Sequence, residues 1–415
     1  MLRNRSLAAI LAAELVSLTG SAMTYVALPW FVLITTGSTA RMGWVLACEL
    51  LPVGLLGIPS GSVIARLGAK RTMNVADAAR VPIMAAIPIL HWTGHLTFGL
   101  LLASAFLLGC FMAPYYSSSR LILPEVLGED EQLVAQGSAF VQAANQLTQL
   151  GGPILAGVLI AWLSAPAVLL VDAATYAFSF VVILVFVRAG RRVPAEESSR
   201  GLFAGLRYAL HDKLLGPMMA TAAFINFVAQ GLIAMLPVLV VRRFDADSTI
   251  VGFFFAAFGA GALGGSILAS QIVRKVSLLR LAAVGIVGMA APLWLLALDL
   301  PWPVVIVVLA VFGFFTPLVN VPVLSIVTVR PPEALRPKVI TAVMTIAVVI
   351  GPLGFLAVGQ ALQYVGMSVV FLAIAAGFTL GALAFTAALR RGEEEGDAIP
   401  AVDLAAVPAV EAGAD

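Results

Sequence analysis

The sequence predicts an all-α integral membrane protein, with twelve transmembrane helices in two pseudo-symmetric six-helix halves and both termini cytoplasmic. Three observations lead there. Of the 415 residues, 61% are apolar and 11% charged, against about 45 to 50% and about 25% in soluble domains. The apolar residues run in continuous stretches of about 20 or more, whereas the strands of a membrane barrel alternate in segments of about ten. Short motifs in the first half also recur in the second.

The first apolar stretch, 7–35, follows a basic start like that of a signal peptide. Glu14 interrupts it and no A-x-A site follows, so it reads as an uncleaved first span. The remaining spans are 42–65, 72–91, 96–119, 133–163, 166–188, 214–241, 249–273, 278–298, 302–328, 337–364 and 367–389. An even number puts both termini on one side. With that topology, all but four of the 24 basic residues (Arg41, Arg80, Arg242 and Arg243) fall in or beside the loops on the side of the termini. The positive-inside rule makes that side the cytoplasm.

Residues 1–190 form the N-terminal half, 191–213 a cytoplasmic linker and 214–391 the C-terminal half. The linker contains the amphipathic GLFAGLRYALHDK, expected to lie as an interfacial helix. The tail, 392–415, is acidic, rich in Ala and Pro and lacks aromatic residues, so disorder is expected. Net charge is only +2, which argues against a nucleic-acid partner. Cys48 and Cys110 sit in apolar runs without motif spacing and read as packing residues.

GSVIA at 61–65 recurs as GSILA at 265–269, each followed by a basic pair. Pro124-Glu125 recurs as Pro332-Glu333, and Gly152-Pro153 as Gly351-Pro352. Parallel six-span repeats enclose a shared cavity near the bilayer midplane, the architecture of many secondary transporters. Glycines four apart, Gly57 with Gly61 and Gly261 with Gly265, would let helix backbones approach closely. Prolines inside spans, among them Pro29, Pro52, Pro114 and Pro237, are candidate kinks.

The loop GSVIARLGAKR resembles the major facilitator superfamily pattern G-x-x-x-D-R-x-G-R-K/R through Gly61, Arg66, Gly68 and Lys70, with Arg71 closing the basic pair. VALPWFVLITTGS, SSSRLILPEVL, GPILAG, VDAATYAFSF, GLRYALHDKLL and PPEALRPKV resemble, in order, the branch containing macrolide efflux proteins and the enterobactin exporter. The resemblance implies the major facilitator fold. It also implies that the loop's acidic residue latches the cytoplasmic side near a helix N-terminus. Here that position is Ala65 and the Arg after the second Gly is Ala69, so either the latch is weak or Asp77 substitutes. The antiporter pattern of span five is also partial, with Thr148 in place of its first Gly before Gly152-Pro153 and Gly157.

Ionisable residues within spans mark function, because a charge there is costly unless it meets water or a partner. Five occur: Glu14, Glu49, Asp77, Arg80 and Asp172, all in the first half. The four acids are the proton-coupling candidates. Asp77 and Arg80, three apart, can pair and reach the cytoplasmic interface. Asp172 can alternatively cap a helix or anchor a loop, and Glu14 and Glu49 can be structural hydrogen bonders.

Gln142, Asn145, Gln146 and Gln149 share one face of span five, which would be costly to turn toward lipid. By the resemblance, this stripe lies on the moving interface between halves. The spans that line the cavity in the superfamily add Tyr25, Phe106, Met112, Tyr115, Asn226, Gln230, Phe312 and Asn320 as substrate-cavity candidates. Their mix of aromatic, thioether and amide groups suits a bulky amphipathic ligand.

His91 and His95 lack a third metal ligand, so no metal is expected; no cofactor is expected either. The chain lacks a phosphate-binding loop and the paired acids an intramembrane enzyme needs. The expectation is a plasma-membrane exporter of small amphipathic compounds (drug, antibiotic or siderophore), coupled to protons and acting as a monomer. The alternatives are a facilitator or importer of the same fold without proton coupling, and a non-transporting sensor or lipid-handling protein.

Overall fold

The computed structural model describes residues 5–127, 131–187, 202–273, 275–332 and 335–394. These form α1 (Arg5–Thr36), α2 (Thr39–Leu67), α3 (Ala69–Trp92), α4 (Phe98–Leu127), α5 (Glu131–Leu163) and α6 (Ala165–Phe186). After a short helix α7 (Leu202–His211) come α8 (Leu215–Arg243), α9 (Ser248–Ile272), α10 (Leu278–Leu293), α11 (Trp302–Val329), α12 (Arg336–Tyr364) and α13 (Met367–Glu394). Every helix except α7 is long and apolar enough to span a bilayer, α10 together with its 3-10 continuation to Ala297. Such segments must be helical because the hydrocarbon offers no partner for backbone N–H and C=O groups.

The helices follow the apolar runs, with two extensions. Helix α4 continues through the polar segment Ser117–Arg120 to Leu127, and α13 runs into the acidic stretch as far as Glu394. The remaining tail, 395–415, residues 188–190 and linker residues 191–201 lie outside the described residues.

Packing repeats between halves. Helix α1 packs on α5 and α6 as α8 packs on α12 and α13; α2 pairs with α4 as α9 pairs with α11; α3 lies against α4 and α6 as α10 lies against α11 and α13. Two glycines make the contact of α9 with α11 close. Gly261 and Gly265 rest on the carbonyls of Ala310 and Phe314, as their spacing predicts. Gly57 does not: a methyl there would meet nothing within 4 Å, because this part of α2 faces open space.

One end of the bundle, the basic end, holds the start of α1 and the end of α13. The halves meet toward the other, distal end, through α2 with α12 and α5 with α9. The two seams match. Thr39 Oγ1 donates to the Gly359 carbonyl (2.9 Å) and Ser248 Oγ donates to the Gly157 carbonyl (3.2 Å). A methyl on Gly359 would sit 3.2 Å from Gly43 Cα, and one on Gly157 3.2 Å from Gly252 Cα. Both hydroxyls belong to capped helix starts, with Ser38 accepting from the Arg41 amide and Asp247 from that of Thr249.

Helix α7 belongs to the second half. Gly205 lies against the backbone of Lys338 on α12, and Asp212 pairs with Arg330 at 3.0 Å while accepting from the Leu214 and Leu215 amides.

Candidate functional site

The first half encloses a polar core between α1, α3, α4 and α6. Arg80 and Asp77 form an ion pair three residues apart on α3. The Arg80 guanidinium carbon lies 4.1 Å from the Tyr115 ring centre and 4.2 Å from that of Tyr176. The pair does not reach the interface as expected from the sequence: Asp77 is 0% and Arg80 2% exposed. Flat aromatic faces on both sides stabilise a guanidinium, which holds the cation inside the half rather than at its rim.

Asp172 is also buried and neither caps a helix nor anchors a loop. Its carboxylate accepts from Thr24 Oγ1 (2.6 Å) and Thr175 Oγ1 (2.9 Å), pinning α6 to α1 beside Gly20. Tyr176 continues this polar seam to Ser21 through a 3.1 Å hydroxyl contact. Glu14 differs from both acids. It is 2% exposed and, among the described residues, neither carboxyl oxygen has a hydrogen-bond partner, although Ser119, Tyr115 and Asp77 lie around it.

Glu49 on α2 is half-buried, with its backbone carbonyl against Gly109 of α4. Tyr25 lies on α1 and Tyr116 on α4. Both rings are more than a third exposed, and Tyr25 meets Phe255 of the other half edge-on at 5.8 Å between centres.

The remaining candidates disperse. Phe106 is exposed and Met112 half-buried on α4. Gln142 and Gln146 are exposed on α5, and Asn145 Nδ2 donates to the Val141 carbonyl at 3.1 Å; the side chain of Gln149 lies outside the described ones. Asn226 bonds its own helix at Ala222, and Gln230 packs on Gly351 beside Leu50. Asn320 is exposed on α11. Tyr115 and Phe312 are not on an open surface: Tyr115 covers Arg80, and Phe312 fills the second half's core between Phe258 and Phe378.

In the loop motif, Gly68 has φ +81°, a conformation suited to glycine, and joins α2 to α3. Lys70 Nζ donates to the Leu184 carbonyl at 3.2 Å, tying the loop to α6. Arg66 and Arg71 are exposed, while the surroundings of Gly61 lie outside the described ones. Sequence reasoning missed Glu125 here. It is 9% exposed at the end of α4, and its Oε2 accepts from the Ala69 amide at 2.8 Å, capping α3 from another helix. The signal was the repeated Pro-Glu pair, but its partner could not be read from the chain. The distal hydroxyl and glycine seams were also missed, apart from Gly157.

A groove of about 450 Å³ lies between α7, α8 and α12, lined by Leu210, Met219, Phe224, Phe227, Ile346 and Ile350 among other apolar residues. It contains none of the candidates and stands apart from the acids. Among the described residues, no group of three His, Cys, Asp or Glu side chains could hold a metal ion.

Residues 10–354 match the sequence profile of the Major Facilitator Superfamily. The chain is 26% identical over 384 residues to the multidrug efflux pump Tap of Mycolicibacterium fortuitum, covering 88% of this chain and 91% of the pump. It is 25% identical over 276 residues to the staphyloferrin A transporter of Staphylococcus aureus, covering 65% and 66%. Among solved structures, the nucleoside transporter NupG superposes with a TM-score of 0.74 at 14% identity, over 92% of this chain and 98% of NupG. A bacterial homologue of the lysosomal transporter Spinster also gives 0.74, at 13% identity, over 94% and 97%. These two likenesses concern the fold.

Proposed function

This chain belongs to the Major Facilitator Superfamily, and on that premise we propose that it exports small amphipathic compounds in exchange for protons by alternating access. It is a multi-pass membrane transporter, in bacteria of the inner membrane, and not an enzyme. The likeness to a multidrug efflux pump over most of both chains supports export. The basic loops support a cytoplasmic position for the termini. With that orientation the distal seams close the outer face, and this conformation is open inward.

The observation that carries the coupling is Glu14. A buried carboxyl with no counter-charge and no geometric hydrogen bond among the described residues, with the Ser119 hydroxyl near it, can exchange a proton without breaking an ion pair, unlike Asp77, or a pair of hydroxyl bonds, unlike Asp172. One proton crossing 100 mV releases about 2.3 kcal/mol, which sustains roughly a fiftyfold substrate gradient. In this reading the cell-membrane carrier is complete as a monomer, taking substrate into a cleft between halves that rock about their seams.

Inside-out vesicles carrying the protein and an imposed pH gradient test this. Uptake of an amphipathic dye should collapse with a protonophore, and Glu14→Gln should uncouple it. The second reading is a facilitator or importer of the same fold. It requires transport that ignores the protonophore.

A further inference from the structure

We propose that the groove between α7, α8 and α12 holds one acyl chain of an anionic phospholipid from the leaflet on the basic side, with the headgroup phosphate on Arg207 and Lys338. This goes beyond the transport reading and holds whatever the direction or coupling of transport.

The groove encloses about 450 Å³, and every residue that lines it, from Leu210 and Met219 to Phe227 and Ile350, is apolar. Small-molecule sites of this size carry a few placed polar groups that orient the ligand. None lines this one, so hydrocarbon is what gains by entering it. Depth agrees: at 1.5 Å per residue the lining of α8 begins about 6 Å from that helix's basic end, and the lining of α12 stops about 21 Å from its own. That is the level of the chains of one leaflet. The groove also opens away from the bundle. Leu210 is 58% and Phe224 40% exposed, and a methyl on Gly381 of α13 would lie 3.7 Å from Phe224 Cδ1, beside Leu380, which is 60% exposed. Helices α12 and α13 meet at few points, so a chain can enter between them over α8.

The rim carries positive charge. Arg207, Leu210 and His211 are exposed on one face of α7, so a residue that lines the groove stands one turn from a cation. Gly205, two residues before Arg207, rests on the backbone of Lys338, which brings a second cation from α12 to the same rim. The acid at the end of α7, Asp212, is already paired with Arg330 at 3.0 Å, so it does not cancel them. A short amphipathic helix with basic groups beside an apolar slot at the membrane surface is the arrangement that attracts anionic lipid. A lipid seated there would bridge α7 to α12 and splint the end of the linker to the second half.

Native mass spectrometry of the delipidated full-length protein in detergent, titrated with phosphatidylglycerol or with phosphatidylcholine of the same chains, provides the test. The first phosphatidylglycerol should bind at least tenfold more tightly than the first phosphatidylcholine. Arg207→Gln and Lys338→Gln should each weaken it about fivefold. Ala220→Trp, which fills the groove from an exposed position, should abolish the tight site at a wild-type melting temperature. If that variant melts early, Leu210→Gln on the exposed face of α7 serves in its place and should weaken binding severalfold. Equal affinity for the two lipids, no binding of phosphatidylglycerol, or wild-type binding by the groove variant would each overturn the proposal. So would displacement by glycerol 3-phosphate, which would leave a headgroup site without a chain, or by rhodamine 6G, which would make the groove a place for transported compounds.

Discussion

Gly43 and Gly359, one in each half, leave no room for a methyl group between them. One placed on Gly359 would lie 3.2 Å from Gly43 Cα and 2.7 Å from the Thr39 carbonyl oxygen. Gly252 and Gly157 repeat the arrangement on the other seam, where a methyl on Gly252 would lie 2.7 Å from the Pro153 carbonyl and 3.3 Å from Gly157 Cα. The halves therefore close through backbone contact on two sides, each contact sealed by one hydroxyl.

Gly359→Leu or Gly157→Leu should wedge a seam apart. Transport should fall at least tenfold, and spin labels on the distal ends of α2 and α12 should report a longer separation. Thr39→Val and Ser248→Ala remove one hydrogen bond each, about 1 kcal/mol, and should shift the balance away from this closed end by roughly fivefold apiece. A leucine variant that transports normally would remove these seams from the cycle.

Asp77→Asn should be the most damaging substitution in the polar core. It leaves the Arg80 charge buried without its partner, at a cost of about 3 to 5 kcal/mol. The double variant Asp77→Asn with Arg80→Gln should recover much of that loss. Thermal unfolding in detergent, followed by tryptophan fluorescence, measures both. Equal instability of the single and double variants would show that the pair's charge is not what matters.

Glu14→Gln should behave differently. The amide keeps the shape of the acid and removes a charge that has no partner among the described residues, so the melting temperature should stay at or above wild type. Proton-driven uptake should nonetheless fall, while dye exchange down its own gradient continues. Loss of both activities together would place Glu14 in the fold rather than in coupling.

Glu125→Ala should loosen the junction between α2 and α3. The Ala69 amide loses its acceptor, worth about 1 kcal/mol as a helix cap. Hydrogen exchange at the start of α3 should quicken about fivefold, with the distal seams unaffected. Unchanged exchange at Ala69 would mean that the cap contributes nothing there.

The twelve spans were legible because lipid leaves no alternative to helices of a fixed minimum length. The repeat was legible from GSVIA and GSILA, and Gly261 and Gly265 approach α11 as their spacing predicts. The fate of each buried acid was less legible. Asp77 and Arg80 could be paired from their spacing, but Tyr115 and Tyr176, which let the pair remain buried, come from other helices. The hydroxyls that enclose Asp172 include Thr24, 148 residues away, and the seams join Thr39 to a carbonyl 320 residues away. Neither pairing leaves a periodicity in the chain. Phe312 looked like a cavity residue because aromatic side chains serve cores and binding sites alike.

The confinement of every mid-span charge to one half has an electrical consequence. A membrane voltage exerts force only on charges inside the low-dielectric slab, so it acts on the bundle that carries Glu14, Glu49, Asp77, Arg80 and Asp172 and leaves its twin nearly untouched. In the proposed rocking cycle, one half would be the electromechanical element and the other a passive counterweight.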